Sequence, residues 1–343
     1  MDMTPGLPPL TWDAFFHTWQ LNLGWLLFCV AAGTGYLVAL GRARRRGGMP
    51  VHPVRVVSFL LGLLLLAWCL SSAIDGYAMA LFWVHMVEHL SLITVVPALL
   101  VLGSPLTVLR AAGGERWQPG FDRVVQHGPV ALLTHPLVGL LVYSSVIFYT
   151  HLTPFMDRMM VHPWLMPAEQ VAYVVSGWML LVGTIGDEPI RWHTPYLFRI
   201  VILVAAMIPD TLVGLALMQA TTVPFPEYMM MRPSWAAAPM DDLDTAGSLM
   251  WVGGDGLMMV LAVGVVVALL SGHGRDQFLG TWLESVRTQN FDEQVGRSGG
   301  DAGARSTGRT IDDDDAALDA YNAMLRRLDR SDPGPDQGPD QER

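Results

Sequence analysis

Residues 80–105 read ALFWVHMVEHLSLITVVPALLVLGSP. An α-helix needs roughly 20 apolar residues to cross the hydrocarbon of a bilayer, and this run is long enough. Its first half nevertheless holds His85, Glu88 and His89. At a rise of about 1.5 Å per residue, a span starting near Ala80 places the two histidines roughly 8 and 14 Å below the outer edge of the hydrocarbon. Their four-residue spacing stacks His85 and His89 on one helix face, with Glu88 beside both. Ionisable groups at that depth are costly unless paired, ligated or hydrated, so the stretch reads as a functional site inside a membrane span.

The rest of the chain agrees with a membrane reading. Of 343 residues, 52% are hydrophobic and 15% charged, where a soluble chain carries about 25% charged residues. The apolar runs predict an all-α, polytopic membrane bundle with seven transmembrane helices, near 20–40, 54–73, 80–105, 131–152, 166–185, 196–221 and 246–270. Residues 1–19 form an external, aromatic N-terminal segment, residues 20–271 the membrane domain, and residues 272–343 an acidic tail. The tail's Gly-, Ser- and Asp-rich composition predicts disorder, with a short helix at 316–329 where Leu318, Tyr321, Met324, Leu325 and Leu328 recur at helical spacing. The first apolar run follows about 20 residues without basic charge, the wrong flank for a cleavable signal sequence.

Arginine sets the orientation. All 21 basic residues are arginine; the loops after the first, third and fifth spans hold five, three and two of them, against one each after the fourth and sixth, and the other nine lie in the tail. The positive-inside rule then places the N-terminus outside and the C-terminus in the cytoplasm. The net charge of −10 and the absence of a basic surface argue against a nucleic-acid partner. The lipid bilayer is the first partner implied. Cys29 and Cys69 fall inside predicted spans without a CxxC pair, as buried small hydrophobes.

In this topology the polar side chains collect in the outer half of the membrane. His85, Glu88 and His89 are joined there by His151 at the end of the fourth span, Glu169 at the start of the fifth, Asp210 in the sixth and Asp255 in the seventh. Asp75 lies in the turn before the third span. Met156 and Met166 are candidate soft ligands near the mouth, as is the imidazole of His162. Imidazole with thioether and no thiolate suits copper, and zinc is the competing metal. A polar network that ties helices together and a bis-histidine haem are the other readings of the same residues. His85-Met86-Val87-Glu88-His89 also matches H-x-x-E-H, in which two histidines hold zinc and the glutamate activates water, so an intramembrane zinc hydrolase is an alternative. A copper transporter is a further one, although the inner halves of the spans are almost purely apolar.

Four blocks appear in order: HMVEHLSLITVVPALLVLGSPLTVLR, HPLVGLLVYSSVIFYTHLTPFMD, IPDTLVGLAL and DDLDTAGSLMWVGGDGLMMVLA. They resemble the seven-helix CtaG family of cytochrome c oxidase assembly factors over roughly residues 20–272. The resemblance implies a non-enzymatic plasma-membrane protein that matures a haem–copper oxidase at the copper-delivery step, with cytochrome c oxidase subunits as partners. On matching positions it implies His85, His89 and His151 as metal ligands. Asp75, Glu88, Glu169, Asp210 and Asp255, at the same level in the chain's own pattern, then set the charge and orient the imidazoles. Where the family shows an HxxEH-like block before the fifth span, this chain reads Met166-Pro167-Ala168-Glu169-Gln170. Only the glutamate remains, which leaves Met166 and His162 to complete the site.

Overall fold

Every described element of the computed structural model is helical; the described residues are 7–17, 19–47, 51–230, 232–271 and 326. The tail expected from residue 272 onward, with its helix at 316–329, lies outside them apart from Arg326.

A short aromatic helix, α1 (Trp12–His17), leads into α2 (Leu23–Arg45). The Asn22 side chain accepts from the Trp25 amide to start α2, and Arg42, Arg44 and Arg45 close it, cations that suit a helix C-terminus. α3 (Pro53–Cys69) begins on a proline whose missing N–H is harmless at that position. α4 (Ala73–Ala78) is capped by the Ser72 side chain. The stretch quoted above then forms α5 (Phe82–Leu90), a π-helical turn (Ser91–Val95) and α6 (Val96–Leu102). Pro97 removes the amide that would donate to the Ile93 carbonyl in a regular helix, and the chain widens into the π turn there. α7 (Pro105–Gly113), α8 (Gln118–Gln126) and α9 (Gly128–Leu133) follow. Next come α10 (Pro136–Leu152), α11 (Phe155–Val161), α12 (Leu165–Val182), α13 (Tyr196–Met218) and α14 (Pro226–Met230). α15 (Pro239–Ser248), a second π turn (Leu249–Gly253) and α16 (Gly254–Leu270) complete the set.

Five continuous segments are long and apolar enough to cross a membrane: 23–45, 82–113, 165–182, 196–218 and 239–270. α10 and α11 add a sixth if the pair, bent by 71°, counts as one span. The second expected span corresponds to α3, an apolar helix of 17 residues, about 25 Å long at the usual rise. Large apolar side chains face outward along these helices, among them Leu27, Leu64, Leu141, Val204 and Val260, while histidines and carboxylates face inward. That inversion of the soluble pattern is the signature of a multi-pass membrane protein.

Two close approaches set the packing around the site. α12 crosses the first π turn at Gly177, where any Cβ would overlap the Ile93 carbonyl. α13 and α15 cross at Gly214 and Gly247, where a Cβ on either would stand 2.6 or 2.7 Å from the other's carbonyl oxygen. Small residues at such crossings let helix backbones touch in a membrane.

Two helices borrow their N-terminal caps from distant segments. Leu81 offers α5 no side-chain cap, and Asp242 of α15 accepts from the Phe82 and Trp83 amides at 3.0 and 3.1 Å. Arg232 in turn lies 3.3 Å from Asp242. At the start of α7, Glu188 accepts from the Leu106 and Thr107 amides at 3.1 and 2.9 Å. In both cases a carboxylate satisfies orphan donors and meets the positive end of the helix dipole.

Candidate metal centre

α5 presents His85 and His89 one turn apart, with ring centroids separated by 4.0 Å. α12 supplies Glu169, whose Oε2 lies 3.5 Å from His89 Nε2. One ligand-type atom from each of His85, His89 and Glu169 lies within 4.8 Å of the other two, and all three residues are buried. His151, in the last turn of α10, stands edge-on to His89 with centroids 5.4 Å apart.

The surrounding groups orient two of the rings. His89 lies over the Tyr173 ring, centroids 4.0 Å apart and planes at 27°. His151 Nδ1 is 3.0 Å from the Ile147 carbonyl oxygen. That oxygen only accepts, so the ring proton sits on Nδ1 and the Nε2 lone pair is free. The Thr150 hydroxyl lies 3.0 Å from the same Nδ1 and 2.7 Å from the Tyr173 hydroxyl.

Both nitrogens of His85, Nδ1 of His89 and Nε2 of His151 are buried without a hydrogen-bond partner. Unpaired buried polar atoms cost about 1–3 kcal/mol each. Each neutral imidazole offers one lone pair, so a metal ion held by one nitrogen of each ring would remove part of that cost, and the Glu169 carboxylate would balance part of its charge. The donor set therefore fits a metal, with copper and zinc both suited to imidazole and carboxylate.

A second layer adjoins the imidazoles. Gln170 Nε2 donates to Asp75 Oδ1 at 3.2 Å and to Glu88 Oε1 at 3.1 Å, while Trp25 Nε1 donates to Gln170 Oε1 at 3.2 Å. One amide thus joins α2, α4, α5 and α12. Burial pushes the Asp75 carboxyl up to about 6, with the Gln170 bond acting in the opposite direction. Asp210 and Asp255 belong to a separate polar pair. Tyr143 donates to Asp210 Oδ2 at 2.8 Å and Thr211 to Asp255 Oδ2 at 2.8 Å.

The structure thus gathers His85, His89, Glu169 and His151, with Glu88 and Asp75 linked behind them. Met156 is buried on α11 and Met166 half-buried at the start of α12, both among apolar core side chains. His162, expected to complete the site, is exposed at the end of α11 and is not brought to the buried cluster. Glu169 from the same segment occupies the third position instead. The ring of Tyr173, the hydroxyl of Thr150 and the bridging role of Gln170 escaped the sequence reading. Their signal was a tyrosine and an amide inside an otherwise apolar span. A cleft of about 350 Å³ reaches His151 between Thr153, Asp157, Leu217 and Phe225.

The family described as cytochrome c oxidase caa3 assembly factor (Caa3_CtaG) matches residues 34–271. The chain belongs to the Caa3_CtaG family. The Caa3_CtaG match runs from within α2 to the residue after α16 and includes Asp75, His85, Glu88, His89, His151 and Glu169. Among similar chains is an uncharacterized Mycobacterium leprae protein, ML1998, 30% identical over 325 residues, or 92% of this chain and 45% of that one. Two further relatives, Mb0105 of Mycobacterium bovis and MT0111 of Mycobacterium tuberculosis, are each 28% identical over 315 residues, 88% of this chain and 43% of theirs. The chain spans less than half the length of these curated relatives. No solved structure matches it.

Proposed function

We propose that this chain is a plasma-membrane assembly factor for cytochrome c oxidase that holds copper as cargo and passes it to an oxidase subunit. His85, His89 and His151 are the imidazole ligands in this reading, with Glu169 as the adjoining carboxylate. Asp75, Glu88 and Gln170 fix the charge and orientation of α5 behind them. The ion enters and leaves past His151, the imidazole that lines the cleft. The polypeptide crosses the membrane seven times, with α3 and the bent pair α10–α11 as two of the spans, the N-terminus outside and the arginine-rich loops in the cytoplasm.

The observation that carries the reading is the set of four unpartnered imidazole nitrogens buried beside a carboxylate. The test is metal analysis of purified wild type, His85→Ala and His89→Ala. Each variant is expected to insert and fold but to lose bound copper, and cells carrying it to assemble oxidase deficient in copper with haem comparatively spared. Full metal content in both variants overturns the reading and leaves the histidines as packing groups.

One observation favours a second reading. Two histidines with a glutamate are also a catalytic zinc set, and Glu88 is the residue that the H-x-x-E-H pattern assigns to water activation. Against it, Glu88 Oε1 is engaged by Gln170 on the side of Asp75.

A further inference from the structure

A second site lies away from the imidazoles, where α2 ends against α7 and the start of α8. It is a cleft of about 730 Å³ whose lining includes Arg46, Arg110 and Arg116 against a single acid, Glu115. The three guanidiniums are differently committed. Arg110 is held by Asp122 through two bonds, Nε to Oδ1 at 2.6 Å and Nη2 to Oδ2 at 2.8 Å. Arg46 donates from Nη1 to the Ala112 carbonyl, which leaves its other donors for a ligand. Arg116 is exposed, and among the described residues it forms no hydrogen bond or ion pair. Two cations not bound by a carboxylate are therefore presented to one cavity, with Glu115 as the one acid in its lining.

The walls make room for a headgroup. Gly114 adopts φ +75°, a conformation that L side chains rarely take, and a Cβ there would stand 2.9 Å from Arg46 Nη1. A side chain at this position would push on the guanidinium and fill the cleft. The rim, by contrast, is apolar. Trp117 is exposed and packs over Gly113 of the lining, and the apolar length of α2 runs up to it before ending in Arg42, Arg44 and Arg45. Exposed tryptophan and a turn of arginines mark the level at which acyl chains give way to water.

From this juxtaposition, one uncommitted guanidinium and one with donors to spare in a roomy cleft at the end of an apolar helix, we infer a binding site for the phosphate headgroup of an anionic phospholipid, with its acyl chains along α2. Guanidinium pairs suit phosphate oxygens, and basic pockets between spans are where such headgroups seat. The inference is independent of what the imidazoles hold.

The test uses the full chain purified in detergent, with native mass spectrometry and thermal melting read in parallel. The probes are dioctanoyl-phosphatidylglycerol, dioctanoyl-phosphatidylcholine and inorganic phosphate. Phosphatidylglycerol is expected to be retained on the wild type and to raise its melting temperature. Arg116→Gln should weaken that retention about fivefold, and Arg46→Gln with Arg116→Gln more than tenfold, since each arginine near an anionic headgroup contributes about a factor of five. Arg116 is exposed and uncommitted, so the single variant tests the site without disturbing the fold. Equal retention of phosphatidylcholine, or unchanged phosphatidylglycerol retention in Arg116→Gln and the double variant, overturns the inference. Stabilisation by inorganic phosphate with none by phosphatidylglycerol also overturns it and assigns the cleft to a soluble phosphate.

Discussion

His89 and Tyr173 lie ring upon ring, 4.0 Å between centroids, and the phenol hydroxyl of the same tyrosine reaches Thr150 beside His151. One side chain therefore sets the plane of one candidate ligand with its face and borders another with its tip. Tyr173→Phe keeps the face and loses the tip, whereas Tyr173→Leu loses both. Because Ile147 still holds His151 Nδ1, Tyr173→Phe should retain metal with a modest loss of affinity. Tyr173→Leu should fall by the roughly 10–100-fold that removing an orienting partner costs. Competition titration with a chelator of known affinity measures both, and equal affinities in the two variants would refute a role for the stacked face.

Asp242 positions the histidine helix from the opposite end of the chain. Asp242→Ala leaves the Phe82 and Trp83 amides uncapped in a buried setting, where loss of a cap costs about 0.5–2 kcal/mol. The expected outcome is a lower melting temperature together with weaker metal binding, although Asp242 touches no imidazole. Asp242→Asn, which keeps an acceptor, should restore most of both. A melting temperature that falls while metal affinity stays unchanged would reduce the cap to a purely structural element.

The Asp75 carboxyl gives a pH signature with a definite sign. In the folded chain it keeps its proton up to a pH of about 6, against a usual value of 3.8. Between those values the folded state binds more protons than the unfolded one, so this group's contribution to stability declines as pH rises from about 4 to about 6 and is level above. Asp75→Asn removes the decline while keeping an acceptor for Gln170. Melting curves of wild type and variant should coincide near pH 4 and separate towards pH 7, with the variant the more stable. Curves that remain parallel across this range would contradict the raised value.

Glu88→Gln separates the two readings of the H-x-x-E-H pattern. A water-activating carboxylate contributes orders of magnitude to a hydrolytic rate. The amide keeps the shape and the contact with Gln170, so a copper carrier should retain most of its metal and its support of oxidase assembly. Loss of oxidase activity with copper still bound would favour the enzyme.

The pairing of His85 and His89 on one helix face, and the helical character of the chain, were legible because hydropathy and four-residue periodicity are local properties. Membership of the family was legible for the same reason, through contiguous blocks around Pro97, Gly103 and Gly247. What could not be read is non-local. Nothing in Met166-Pro167-Ala168-Glu169-Gln170 says that Glu169 turns to His89 while His162 stays in solvent, since that depends on how α12 rotates against the first π turn at Gly177. Asp242 looks like one of several acids ahead of a helix, and its service to α5 emerges only from the crossing of Gly214 and Gly247. Span counting met a geometric limit too: α3 is only 17 residues long, and so is α10, the helix of the fourth expected span, which reaches spanning length only together with α11, inclined to it by 71°.

The borrowed cap on α5 also imposes an order in time. Phe82 is synthesised 160 residues before the aspartate that satisfies its amide. At the usual pace of about 5–20 residues per second, the helix with the paired histidines waits roughly 8–32 s on the ribosome for its partner. Until α15 arrives, the first turn of α5 has open amides, and the ring positions are not yet fixed from that side. The arrangement of rings around His85 and His89 is therefore complete only when most of the bundle is in place, and the cap makes the last third of the chain a condition for the geometry of its first.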